Sequence, residues 1–131
     1  MDWDDLVAAA TAARERAYAP YSGFRVGAAL RCADGTVVAG CNVENRSYGL
    51  AVCAERTAVA AAVAGGRRDF VAAVVVTDAA PPAPPCGLCR ETLAEFCDDL
   101  PILLVSTSGE RIEERLATLL PRRFVFAPPA R

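Results

Sequence analysis

The sequence predicts an α/β fold in three layers, α/β/α, with a mixed sheet at its centre and helices on both faces. Strand and helix patterns alternate through the middle of the chain, strand–helix–strand–helix–strand, which implies parallel crossovers. The run Phe70 to Thr77 is continuously apolar and rich in valine, as in a strand covered on both sides. A hairpin signal at Ala33-Asp34-Gly35 adds an antiparallel pair to those parallel elements.

Leu6, Ala10, Ala13 and Ala17 recur at helical spacing, with Arg14, Glu15 and Arg16 mostly on the other side. The chain therefore opens with an amphipathic helix, which the segment Tyr18 to Gly23 ends. Phe24, Val26, Ala28, Leu30 and Cys32 alternate with Arg25, Gly27, Ala29 and Arg31, a half-buried strand pattern. Thr36 to Cys41 should pair back on it, and Asn42 to Val52 reads as a polar loop. Ala54 to Val63 is alanine-rich and helical, stopped by Gly65-Gly66. Phe70 to Thr77 is the next strand. Pro81 to Pro85 is a stiff connector into a helix from about Cys86 to Cys97. A strand at Ile102 to Ser106 and a turn at Ser108-Gly109 follow. Ile112, Leu116 and Leu119 then define a final short helix. With no internal repeat and no composition break, residues 1–131 are expected to form one domain.

At 131 residues the chain can bury a substantial core, and 53% apolar content marks it as globular. No apolar run approaches the roughly 20 residues that cross a bilayer. The start, Met1-Asp2-Trp3-Asp4-Asp5, is acidic and lacks the pattern of a secretory signal, so a cytoplasmic location is expected. In that setting six cysteines point to metal or redox chemistry rather than disulfides. Cys32, Cys41 and Cys97 read as small apolar packing. The net charge is −2, and the 14 basic residues, all arginine, are scattered along the chain. A nucleic-acid partner is therefore not expected, nor is a membrane.

The chemistry lies in Cys53-Ala54-Glu55 and Pro85-Cys86-Gly87-Leu88-Cys89. Cys53, Cys86 and Cys89 can give one Zn2+ per chain three thiolate ligands, leaving a fourth position open as in catalytic sites. The pattern is the three-cysteine form of the H-x-E…P-C-x-x-C deaminase signature. Cys86 and Cys89 fall on one face of a helical turn, while Cys53 opens another helix. Positive helix N-termini favour thiolates. Glu55, in the first turn after Cys53, should lean back toward the open position and serve as proton shuttle. Three thiolates and one Zn2+ sum to −1. Arg56 and Arg90, each following a ligand cysteine, are candidates to donate to sulfur and draw charge away.

Several motifs together resemble the small homotetrameric cytidine deaminases: Tyr21-Ser22-Gly23-Phe24-Arg25-Val26-Gly27-Ala28-Ala29, the loop Gly40 to Gly49 (GCNVENRSYG), Cys53 to Ala58, Pro85 to Arg90, and Leu119-Leu120-Pro121 with Phe124. The likeness covers nearly the whole chain. It implies a central mixed five-stranded sheet and a homotetramer with shared active sites. It also implies that Asn42 and Glu44 bind the ribose 3′-hydroxyl and that Phe24 packs against the pyrimidine or sugar. The Ala54 backbone would read the base edge. Phe124, from a neighbouring subunit, would cover the base, and Tyr48 would belong to a subunit-crossing part of the pocket. Without that context Asn42 and Asn45 also fit turn residues, and Phe24 and Phe124 fit core positions.

The resulting expectation is hydrolytic deamination of cytidine and 2′-deoxycytidine, in pyrimidine salvage, with hydroxide on zinc attacking C4. Glu55 would carry protons to N3 and to the leaving amine. Glu91 stands where the family usually has Gln, as in some blasticidin S-type deaminases, so a modified cytosine nucleoside is the alternative substrate. A zinc-binding module without catalysis and an editor of single-stranded nucleic acid are the other classes. The retained Glu55 and the net charge, respectively, argue against them.

Overall fold

The computed structural model describes residues 2–126. Its elements are α1 (Asp4–Arg14), β1 (Gly27–Cys32), β2 (Val37–Cys41), α2 (Ala54–Ala64), β3 (Phe70–Thr77), α3 (Gly87–Phe96), β4 (Pro101–Ser106), β5 (Arg111–Arg115) and α4 (Leu116–Leu119). A 3-10 turn at Tyr48–Leu50 interrupts the long loop between β2 and α2. The strands make a five-stranded sheet in the order β2-β1-β3-β4-β5. β3 and β4 pair in parallel, while β1 is antiparallel to both β2 and β3, and β5 to β4. The sheet is mixed and three-layered, as the sequence predicts. α1 packs Leu6 and Ala10 on Ala29, Val74 and Val76 of one face. On the other face Ala58, Ala62 and Leu93 meet Leu30, Val75 and Leu104.

This topology creates the site. α2 leads into β3 and α3 follows it, so both helices run opposite to β3. Their N-termini therefore lie together at its carboxyl end. Crevices at the carboxyl ends of strands are where open α/β sheets take ligands.

Three expectations need correction. Phe24 to Val26 are not in β1. The Asn42 side chain takes their polar groups, its Oδ1 accepting from Val26 N–H at 2.8 Å and its Nδ2 donating to the Phe24 carbonyl at 2.8 Å. β1 is also not half-buried, because α1 covers its second face and buries Gly27 to Leu30 throughout. Ile112 is not helical. It lies in edge strand β5, where it is half-buried between exposed Arg111 and Glu113. Its spacing to Leu116 and Leu119 looked helical because all three reach the same core from two different elements.

Of the spare cysteines, Cys32 is core and Cys97 packs against it, with burial pushing both thiols up. Cys41 is only half-buried.

Two glycines set how close the helices come to the sheet. A Cβ on Gly27 would collide with the Ala10 carbonyl and lie 2.7 Å from Arg14 N, so β1 touches the α1 backbone. A Cβ on Gly40 would strike Ala58 N and the Thr57 hydroxyl and lie 2.8 Å from the Ala54 carbonyl. Gly40 thus fixes the depth at which α2 sits on β2. Overpacking of this kind costs about 1–3 kcal/mol or more. Gly40→Val is expected to lower the free energy of urea unfolding by at least that range. Gly49→Ala, where a Cβ meets open space, should change it by less than about 0.5 kcal/mol.

Candidate active site

Cys53 is the N-cap of α2 and Cys86 the N-cap of α3, both in extended conformation and neither using its side chain as a cap. The residues that would ordinarily accept the first helical N–H groups instead leave their sulfurs free to converge. Cys53 Sγ lies 3.6 Å from Cys86 Sγ, which lies 3.4 Å from Cys89 Sγ. All three sulfurs fall within 4.8 Å of one another. Tetrahedral zinc with ligands at about 2.3 Å needs sulfurs roughly 3.8 Å apart, so the donor set fits the ion. Cys89 is buried, Cys53 half-buried and Cys86 exposed, so the cluster has a dry side and an open side.

Without a cation the three thiols share charge unevenly. Cys53 is lowered to about 5, first by a hydrogen bond from the Cys89 thiol and then, against the cost of burial, by Arg56. Cys89 is pushed up in return, by the same hydrogen bond and by burial. One thiolate is therefore held by its neighbours, and a divalent cation is what allows all three to ionise.

Arg56 Nη2 lies 3.8 Å from Cys53 Sγ and 3.3 Å from the Ala51 carbonyl. Its buried Nε has no hydrogen-bond partner among the described residues, so positive charge at the cluster is not fully committed. Arg90 departs from expectation. It donates Nε to the Pro85 carbonyl at 2.8 Å and Nη1 to the Leu119 carbonyl at 2.9 Å. Those bonds tie the start of α3 to α4, and no hydrogen bond from Arg90 to a sulfur occurs among the described residues.

Glu55 is 7% exposed, and burial pushes its carboxyl above the ordinary carboxylate range, with the Cys53 charge adding to the effect. Its own backbone N–H, Cys89 and Arg56 oppose the shift. A carboxylate whose pKa is raised is a stronger proton acceptor than an ordinary one.

Glu55, Cys53 and Cys86 line a cavity of about 250 Å³. Phe24, Asn42, Glu44 and Ala54 line the same cavity, as the sequence reading grouped them. Tyr48 does not. It is 79% exposed, stands edge-to-face on Tyr21 at 6.4 Å, and borders an adjoining cleft that shares Glu44 and Ala51. Phe124 is 77% exposed and does not reach the cavity of its own chain.

Asn42 and Glu44 are also turn residues. Besides the Asn42 bonds described above, Glu44 Oε1 accepts Tyr21 and Ser22 N–H, and Oε2 accepts the Ser22 hydroxyl. The two readings of these residues are compatible, since the same side chains brace the Tyr21–Val26 segment and face the cavity.

Sequence reasoning missed Thr77, Val75 and Pro84 in the cavity wall and the part played by Ser22. Ser22 stands in a motif already singled out. Thr77 had only its place at the carboxyl end of a buried strand.

Geometry and fold together define a three-thiolate, open-sided metal centre with a buried carboxyl beside it. The family model for the cytidine and deoxycytidylate deaminase zinc-binding region matches residues 1–104. A cytidine deaminase of Sporosarcina psychrophila is 49% identical over 125 residues, covering 95% of this chain and 92% of the relative. One from Halalkalibacterium halodurans is 50% identical over 125 residues, covering 95% of each. The crystal structure of cytidine deaminase from Burkholderia pseudomallei superposes with a TM-score of 0.91 at 48% identity, covering 95% of this chain and 100% of that one. A blasticidin-S deaminase of Bacillus cereus is more distant, 28% identical over 107 residues and covering 76% of each chain. The chain belongs to the cytidine and deoxycytidylate deaminase family of zinc-dependent enzymes.

Glu44 supplies a pH test. Its carboxyl is held below its ordinary 4.5, chiefly by the Ser22 hydroxyl and then by the Ser22 and Tyr21 amides. A lowered folded-state value stabilises the brace above the unfolded value and loses that contribution as pH falls through the folded one. The Tyr21 and Ser22 amide shifts in 15N spectra should therefore stay constant from neutral pH down to about 5 and titrate with a midpoint below 4.5.

Proposed function

We propose that residues 1–131 form one deaminase domain that hydrolyses cytidine and 2′-deoxycytidine to uridine and 2′-deoxyuridine, releasing ammonia. The observation that carries this reading is one cavity lined both by Cys53, Cys86 and Glu55 and by Asn42 and Glu44. The hydrogen-bond inventory of Asn42 and Glu44 leaves one donor on Asn42 and one acceptor position on each residue unused. Asn42 gives one Nδ2–H to the Phe24 carbonyl and keeps the second. An ionised carboxylate has about four acceptor positions, and Glu44 commits three of them to Tyr21 and Ser22. A single sugar hydroxyl can donate to the free position on Glu44 and accept the free Nδ2–H of Asn42.

Zinc bound by Cys53, Cys86 and Cys89 supplies Lewis-acid charge that acidifies water. Glu55 would take one proton from the attacking water and pass it to ring N3. It would then take the second from the new C4 hydroxyl and pass it to the leaving amine, so that both protons of the water are accounted for. Its buried position keeps bulk solvent from competing for the transfer. The Ala54 backbone meets the base edge, and Phe24 packs on the base or sugar. Arg56 withdraws charge from Cys53 and so preserves the acidity of the ion.

The place of the reaction is nucleoside salvage in the cytoplasm, a reading that six free cysteines support. No helix among the described residues is long and apolar enough to cross a membrane. The active form is a homotetramer in which Phe124 closes a neighbour's cavity and Tyr48 lines the junction. Three exposed apolar side chains in a row, Phe124, Val125 and Phe126, support that assembly.

Purified zinc-loaded protein should convert the ultraviolet spectrum of cytidine to that of uridine, and chelation should stop it. Glu55→Ala should keep about one zinc per chain while losing turnover by roughly 10²–10⁴-fold or more. Cys53→Ala should instead lose the metal, measured by atomic emission. A zinc-loaded protein inert on cytidine and active on blasticidin S would replace the substrate assignment.

A further inference from the structure

The brace around Glu44 contains a residue to which the proposed reaction gives no part. Ser22 Oγ lies 2.5 Å from Glu44 Oε2 and accepts the Phe24 N–H at 3.0 Å. With the Phe24 amide occupying an acceptor position on the oxygen, and an acceptor-only carboxylate on its other side, the hydroxyl hydrogen is directed at Glu44. The other carboxylate oxygen is anchored separately, by Tyr21 N–H at 2.9 Å and Ser22 N–H at 3.1 Å. Two amides on Oε1 fix its position but leave rotation of the carboxylate about the bond to it. The Ser22 hydroxyl is the contact that stops this rotation.

We infer that Ser22 is a positioning residue for the sugar contact: its hydroxyl holds Glu44 so that the remaining acceptor position of the carboxylate faces the nucleoside 3′-hydroxyl. The inference rests on the reading of Glu44 as the sugar contact. Its physical content is preorganisation. A carboxylate held in place before binding loses less freedom when the substrate arrives, and the gain appears in affinity for the group it contacts. Ser22 carries no proton in the reaction and touches no reacting atom, so the chemical step should not depend on it. The lowered Glu44 carboxyl agrees with this, since the Ser22 hydroxyl is its first cause.

The experiment compares 2′-deoxycytidine with 2′,3′-dideoxycytidine, which differ only at the 3′-hydroxyl, on the zinc-loaded full chain. The unaltered protein should show a lower KM for 2′-deoxycytidine. In Ser22→Ala the ratio of the two KM values should fall about tenfold, with kcat for 2′-deoxycytidine within about twofold. Ser22→Thr, which keeps the hydroxyl, should restore the ratio. Taking the ratio cancels any effect through the Phe24 amide, which both substrates feel alike. Ser22→Gly serves the same comparison if the alanine variant does not fold. A ratio unchanged in the alanine variant, or a ratio that threonine does not restore, overturns the role of Ser22 and leaves Glu44 as the sugar contact. Equal KM values in the unaltered protein overturn the Glu44 reading, and the inference with it.

Discussion

Three thiols gathered within 4.8 Å form the constraint around which the rest of the structure is arranged. Like-charged sulfurs at this spacing ionise together only if positive charge is brought to them. The fold brings it from several directions. The starts of α2 and α3 present their partial positive ends, and Arg56 reaches Cys53. A divalent ion completes the balance. The donor positions depend in turn on how deeply each helix is seated. Gly40 lets α2 approach β2 closely, and Pro85, buried and held by Arg90, fixes the turn that presents Cys86.

The zinc helix is strapped at both ends by the C-terminal segment. Arg90, one residue after a ligand, holds the Leu119 carbonyl. Arg123 comes back from the segment to donate to the Ala94 and Cys97 carbonyls at the end of α3, and pairs with Asp98. A cation on the last carbonyls satisfies groups that a helix leaves unpaired and suits the sign of its dipole. The same strap leads directly into exposed Phe124, Val125 and Phe126. Metal geometry at one end of α3 and presentation of the aromatic tail are thus tied to one short stretch of chain.

In the cavity wall, the polar side chains of Asn42 and Glu44 also serve the backbone. Asn42 and Glu44 replace sheet hydrogen bonds for Tyr21 to Val26, which keeps Phe24 at the cavity wall instead of in a strand. Side chains held in this way lose little further freedom on contact with any ligand that enters the cavity.

Much of this could be read from the chain alone, because the signals involved are local. The apolar run Phe70–Thr77, the Gly-stopped helix α2 and the hairpin at Gly35 follow from backbone preferences and side-chain burial over a few residues. The three cysteines and Glu55 were legible because metal chemistry demands particular residue types at particular spacing. Tertiary structure decided the rest. Arg90 looked like a partner for sulfur, but the nearby carbonyls of Pro85 and Leu119 claim it, and Leu119 is far away in sequence. Ile112 joined a helical pattern that exists only because two elements share one core. β1 is buried on both faces because α1 returns over it, which no alternation within β1 could reveal. Ser22 acquired its place only when the loop folded against Glu44. The sequence by itself determined the residue types and the local elements, since these depend on short-range physics. Which acceptor each long side chain finds, and which faces are covered, depends on contacts between segments far apart in the chain, and only the assembled structure decides them.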